Sequence, residues 1–315
     1  MSKHWRITSL LILAMTVGLF VSACGGGSGS GSTGSSSTST PSNLGTPGSY
    51  NCIGGSLTAS GSTALAPLVQ AVAKDYQAKC SSASITVNLG GSGTGLSQVE
   101  SGTVQIGNSD IFKKSSQPDL VDHQVAIVVF TVIINSKVTG VTNLTTNQLK
   151  GIYSGSITNW NQIGGPNLKI VVVSRPTSSG TRATFQQYIL GGPESVTGPS
   201  SLVTDSTGTV VKNIGQTDGA IGYAASGPAM SAQSSGLVKI VNIDGNAPTA
   251  TLVQSNTYKF WNIEHMYTKG QPTQLAQALI DYMASSDGQQ SASKLSFLLY
   301  KEMSSSAIQA HQPQS

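Results

Sequence analysis

Val125-Ala126-Ile127-Val128-Val129-Phe130-Thr131-Val132-Ile133-Ile134 forms the centre of an apolar run over residues 124–135. Its β-branched density favours a strand over a helix. Yet a buried strand usually holds only about five or six residues. The length therefore predicts a strand that passes from one lobe of the fold into a second.

Upstream of the run the pattern alternates. Residues 56–59 read as a strand, and a helix follows from near Pro67, a favoured first-turn residue, with Leu68, Val72 and Tyr76 on one face. A second strand is expected at 85–89, a short helix at 96–101 closed by Gly102, and a third strand at 104–107 that runs into Asn108-Ser109-Asp110. A β-α-β-α-β order implies a parallel sheet with right-handed crossovers, in which ligands bind beyond the carboxyl ends of the strands. Downstream, helices are expected at 146–153, 181–189 and 208–215, and strands at 169–173, 220–223 and 237–243. Residues 258–267 suit a return crossing, and two helices follow at 273–284 and 287–299.

Three Gly/Ser/Thr loops fall where strands give way to helices: Ser60-Gly61-Ser62-Thr63-Ala64, Gly90-Gly91-Ser92-Gly93-Thr94-Gly95 and Ser178-Ser179-Gly180-Thr181. Helix starts of this kind offer free N–H groups, hydroxyls and the positive end of the helix dipole. Arg175 precedes the third loop, so its guanidinium can meet an oxyanion in fork geometry. A surface ion pair is the ordinary fate of such an arginine. Asp110 follows the second loop. Beside an oxyanion a carboxylate is repulsive unless the anion has a proton to share, which hydrogen phosphate has and sulfate lacks. Its plainer use is as a helix N-cap. Arg182 sits in a first helical turn, where a cation opposes the dipole, so it needs a nearby anion, a structural carboxylate or solvent. The Gly90–Gly95 spacing does not give a dinucleotide fingerprint, and no phosphate-loop lysine motif is present.

The ends of the chain differ from its body. Lys3 and Arg6 precede an apolar stretch over residues 7–20 and then Val21-Ser22-Ala23-Cys24, the pattern of a secretory signal over residues 1–23. Cys24 after small residues resembles a bacterial lipobox, whose cysteine is acylated; a plain signal with an incidental cysteine is the alternative. Residues 24–49 are nearly all Gly, Ser, Thr and Pro, a composition too polar to order itself. As a coil it spans about 25–30 Å, the reach of a tether. Residues 50–315 hold 15 Lys/Arg against 13 Asp/Glu, too near balance for a nucleic-acid footprint. Cys52 and Cys80 bracket the first strand–helix unit and suit a disulfide in an exported protein, with two buried thiols as the alternative. His123 and His265 lie in no catalytic motif, and no metal-ligand spacing appears.

The quoted loops belong to a longer collinear set. Leu57-Thr58-Ala59-Ser60-Gly61-Ser62-Thr63-Ala64-Leu65-Ala66-Pro67, Ile106-Gly107-Asn108-Ser109-Asp110, Leu149-Lys150-Gly151-Ile152-Tyr153-Ser154-Gly155, Ile157-Thr158-Asn159-Trp160, Gly219-Ala220-Ile221-Gly222-Tyr223 and Tyr267-Thr268-Lys269-Gly270 fall in order over residues 56–290. Together they resemble the phosphate-binding proteins of ABC-type phosphate transport systems. The resemblance implies an α/β fold of the two-lobed type II periplasmic-binding-protein class, each lobe a mixed sheet flanked by helices, joined by two crossover strands. Lobe I is expected from residues 50–130 and 258–315, and lobe II from 131–257. The implied phosphate ligands are Ser62, Thr63, Ala64, Ser92, Gly93, Thr94, Asp110, Arg175, Ser179, Gly180 and Thr181. Some members carry an acidic residue two positions after the arginine; here it is Thr177. The implied protein is a monomeric, lipid-anchored extracytoplasmic receptor that needs no cofactor and hands inorganic phosphate to ABC permease subunits. A receptor for another oxyanion and a phosphate sensor share these features, and a secreted phosphatase lacks the histidine and metal patterns it would need.

Overall fold

The computed structural model describes residues 50–195, 201–204 and 206–313. The expected signal segment, Cys24 and the tether over 24–49 lie outside them. Along the chain the first elements are β1 (Gly55–Gly61), α1 (Ala66–Lys79), β2 (Ala83–Leu89), α2 (Ser92–Glu100), β3 (Ile106–Ser109) and β4 (Leu120–Asn135). Next come β5 (Asn143–Leu144), α3 (Thr146–Ser154), β6 (Val171–Ser174), α4 (Gly180–Phe185), β7 (Ser201–Val203), α5 (Thr207–Gln216), β8 (Ala220–Ala225), α6 (Ser226–Ser234) and β9 (Val238–Ile243). The chain closes with α7 (Ala250–Gln254), β10 (Trp261–Lys269), α8 (Gln274–Ala284), α9 (Ser286–Lys294) and α10 (Ser305–Ala310).

The strands run β2-β1-β3-β10-β4-β8-β6-β7, with β9 and β5 attached to the far side of β4. In the first half-sheet β1 is parallel to both β2 and β3, as the β-α-β-α-β order requires, and β10 enters antiparallel. β4 joins the halves. Its 16 residues pair with β10 from Leu120 to Val129. From Phe130 to Ile134 it pairs with β8, and from Val132 to Asn135 also with β9. From His123 to Asn135 every residue is buried. The change of neighbours explains why one strand needs so long an apolar run: each half-sheet uses a different stretch of it. The chain returns beside the switch point, where the Phe130 N–H donates to Phe260 O at 2.9 Å and the Tyr258 hydroxyl to Phe130 O at 2.8 Å. Phe130, Phe185, Tyr223 and Phe260 pack as an aromatic knot there, with centroids 4.5 to 6.2 Å apart. The return crossing is thus a short passage that becomes β10.

Several boundaries differ from expectation, each for a local reason. α2 starts at Ser92, because the Gly91 N-cap at φ 86° lets the loop turn straight into the helix. β3 begins at Ile106, since the Thr103 and Val104 N–H groups are still bonded to Gln98 O at the end of α2. The helix expected to reach 299 stops at Lys294, where Ser296 takes φ 67° and Leu298 bonds to Ile127 of β4 instead. The helix after Gly180 widens into a π turn over Gln186–Leu190 before Gly191 ends it. Cys52 and Cys80 are joined in a disulfide with a Cα–Cα distance of 5.3 Å.

Candidate functional site

The loops at the carboxyl ends of β1, β2, β3 and β6 converge where the two half-sheets face each other. β1 ends at Gly61, whose φ of 137° no other residue adopts easily; a Cβ there would lie 2.1 Å from Asn108 O. The bend sends Ser62 toward the end of β3. The Ser62 hydroxyl accepts from the N–H groups of Ala64 and Leu65, at 3.1 and 3.0 Å, and donates to Asp110 Oδ1 in a short bond. One serine therefore turns the chain into α1 and holds the carboxylate.

Asp110 is the focus of the site, and only 2% of its surface is exposed. Its backbone N–H donates to Ser92 Oγ at 2.9 Å. Its Oδ2 accepts from the Thr181 hydroxyl at 3.1 Å, reaching across from the opposite half. Burial raises its affinity for a proton. The Ser62 bond, the Arg175 charge, Glu264 and the Thr181 bond oppose that effect without cancelling it.

Arg175 follows β6 and is 1% exposed. Its Nη2 donates to Thr63 Oγ1 at 2.9 Å and its Nε to Thr204 O at 3.1 Å. Arg182 supports it from below: Arg182 Nη1 donates to the Arg175 carbonyl at 2.7 Å, and Arg182 Nε lies 3.5 Å from Glu194 Oε2. Of the fates open to Arg182 in the sequence, the structure shows a carboxylate pair that braces Arg175. The Ser179 side chain caps α4 by accepting from the Arg182 N–H at 3.3 Å. Gly180 packs against Ser92 and Asp110 so closely that a Cβ would fall 2.3 Å from Ser92 Oγ and 2.9 Å from Asp110 Cβ.

Ser62, Thr63, Ser92, Asp110, Arg175, Gly180 and Thr181 are thus brought to one buried junction. Ala64 borders it with its N–H on Ser62, and Ser179 stands at the cap. Gly93 and Thr94 face other partners: the Gly93 N–H donates to Ser178 O across the junction at 2.9 Å, and Thr94 Oγ1 donates to Gly90 O at 2.8 Å. Thr207, at the start of α5, was not singled out in the sequence. Its hydroxyl lies 3.1 Å from Thr63 Oγ1, and its N–H donates to that same oxygen at 3.2 Å. Ser206-Thr207-Gly208-Thr209 has the composition of the other loops and opens a helix, so the same signal marks it. Among the described residues no group of His, Cys, Asp or Glu is placed to hold a metal ion. An open cleft of about 450 Å³ lined by Thr146, Lys150, Tyr188, Asp244 and Lys259 contains none of the junction residues.

Comparison with known proteins identifies the family and the fold. The family profile of the PBP superfamily domain matches residues 32–287. The phosphate-binding protein PstS of Bacillus subtilis is 41% identical over 295 residues, covering 92% of each chain. A Clostridium perfringens structure described as a phosphate ABC transporter substrate-binding protein with bound phosphate superposes with a TM-score of 0.72 at 29% identity, covering 78% of this chain and 99% of that one. An ABC-type phosphate transport receptor from Vibrio cholerae gives 0.63 at 26% identity, covering 77% and 99%. The collinear loops, the type II fold and these relatives place the chain in the PstS family of phosphate-binding proteins, within the periplasmic-binding-protein superfamily.

Proposed function

We propose that the protein is a lipid-anchored extracytoplasmic receptor that binds inorganic phosphate at the Asp110 junction and delivers it to an ABC importer. The observation that carries this reading is a buried carboxylate facing hydroxyls and a guanidinium from the opposite half. A site meant for a fully ionised anion gains nothing from an acceptor there, whereas hydrogen phosphate donates its O–H to Asp110 and offers its remaining oxygens to donors. Arg175 supplies the charge-assisted fork, and Thr63, Ser92, Thr181 and Thr207 supply hydroxyls around it. Residues 50–130 with 258–315 would form one lobe and 131–257 the other. An anion bridging both would favour the closed arrangement over an open one.

Acylation of Cys24 and the tether over 24–49 supply the anchor. Among the described residues no helix is long and apolar enough to cross a membrane. The permease subunits are the partners that the transport role requires, and a monomer suffices to enclose the anion. Calorimetry with inorganic phosphate and with sulfate tests the binding. Tight phosphate binding that excess sulfate barely disturbs is expected. Sulfate binding as tight as phosphate would overturn the reading. Metabolic labelling with a fatty acid, lost in Cys24→Ala, tests the anchor.

A further inference from the structure

A second carboxyl stands behind the site. Glu264 of β10 has no exposed surface, and neither of its oxygens has a hydrogen-bond donor among the described residues. β10 runs antiparallel to β3 with Met266 opposite Asn108 and His265 opposite Ser109. Glu264 and Asp110 are the residues just beyond the His265–Ser109 pair, and their carboxyls are side-chain hydrogen-bond partners of each other. With both ionised, two acceptors would face each other in a dry interior, an arrangement that buried charges do not tolerate. One proton between them turns the clash into a hydrogen bond.

The surroundings decide which carboxyl keeps it. Asp110 has the Ser62 and Thr181 hydroxyls and the Arg175 charge, all of which favour its ionised form. Glu264 has only burial and the negative Asp110 acting on it, and both hold its proton well above the usual carboxylate range. β4 sets Ala126 opposite Glu264, and the titratable neighbours Asp122 and His265 bond to each other at 2.7 Å. Asn108, two residues before Asp110 on β3, carries no charge and likewise finds no side-chain partner among the described residues.

We propose that Glu264 is a positioning residue: a neutral buried acid whose O–H donates to Asp110 and fixes that carboxylate as an acceptor for a protonated oxyanion. A carboxylate has room for about four hydrogen bonds. Ser62, Thr181 and Glu264 take three, and one remains for the anion's own O–H. The proton on Glu264 also keeps the site from presenting two negative charges to its ligand. Were the proton on Asp110 instead, Asp110 would be a donor and sulfate would no longer be excluded. The inference rests on the phosphate reading of the site but can be separated from it.

The test uses the full chain and its Glu264→Gln and Glu264→Met variants. Infrared spectra at neutral pH, in water and heavy water, are expected to show a protonated-carboxyl band in the parent that is missing in Glu264→Gln. Calorimetry with inorganic phosphate is expected to leave Glu264→Gln, whose amide still donates to Asp110, within about threefold of the parent, while Glu264→Met weakens binding at least about tenfold. Absence of the band in the parent overturns the proposal. So does equal phosphate affinity in all three proteins, or equal loss in both variants. If Glu264→Met does not fold, the band and the Glu264→Gln affinity decide. A parent that binds no phosphate defeats the functional reading, and the band alone then decides where the proton sits.

Discussion

Asp110 and Arg175 face each other across the junction with different degrees of support. Asp110 is held by two hydroxyls and a backing acid, and Arg175 by Thr63, a backbone carbonyl and the Arg182 brace beneath it. Asp110→Asn replaces an acceptor by an amide that can also donate. Phosphate affinity is expected to fall about 10- to 100-fold, the worth of a charge-assisted hydrogen bond, while sulfate binding rises, as calorimetry would read. These residues were legible because the loop chemistry is local: glycine, hydroxyl and a charge at a strand end. Glu264 was not, since nothing in Trp261-Asn262-Ile263-Glu264-His265 marks the glutamate as facing another carboxyl. That fact belongs to the register of β10 on β3. Nothing in the sequence around His311 marks it either. It stacks between Trp261 and Tyr188, and its Nε2 lies 3.2 Å from Asn256 Oδ1. Burial pushes its pKa from 6.5 down to about 3. Its contribution is therefore complete above about pH 6.5 and is lost as pH falls toward 3, at up to about 1.4 kcal/mol per pH unit. Denaturant unfolding across that range should show a flatter acid slope in His311→Asn.

Among the elements, those with strong end signals matched the sequence well. α3 follows Thr145, whose side chain accepts from the Gln148 N–H while the Gln148 side chain returns to the Thr145 N–H, and it ends at Gly155 with φ 81°. Thr145→Ala is expected to cost about 1 kcal/mol in chemical denaturation and to leave phosphate binding unchanged, because α3 lies away from the junction. The short pieces are not legible in the sequence. α6, α7 and β5 lack periodicity over a window long enough to read, and they form because the larger elements beside them supply the burial. The boundary shifts of α2 and α9 have the same origin, since tertiary bonds to neighbouring segments decide where a weak helix stops.

For the whole molecule, the proposed binding depends on how closely the two halves meet, and Gly180 lies where one half touches Ser92 and Asp110 of the other. Alanine at this position suits the helix as such, but its methyl group would meet Ser92 and Asp110 only when the halves are together. Gly180→Ala should therefore weaken phosphate at least about tenfold while the melting temperature of the phosphate-free protein stays near that of the parent. An unchanged affinity would show that the junction opens further than these contacts imply. The long apolar run made the passage of one strand between two half-sheets readable, and the type II class was implied by the resemblance that the collinear motifs carry. The neighbours that β4 takes on each side were not, because strand pairing is fixed by distant parts of the chain.

The threading of the chain through β4 also bears on its history at birth. The half-sheet that starts first needs β10, residues 261–269, before it has all its strands, whereas every strand of the other half lies between residues 120 and 243. A polypeptide appearing N-terminus first thus finishes its later half earlier and leaves the opening strands waiting for their last partner. Lesions that truncate the C-terminal fifth should consequently spare one half-sheet and orphan the start of the chain.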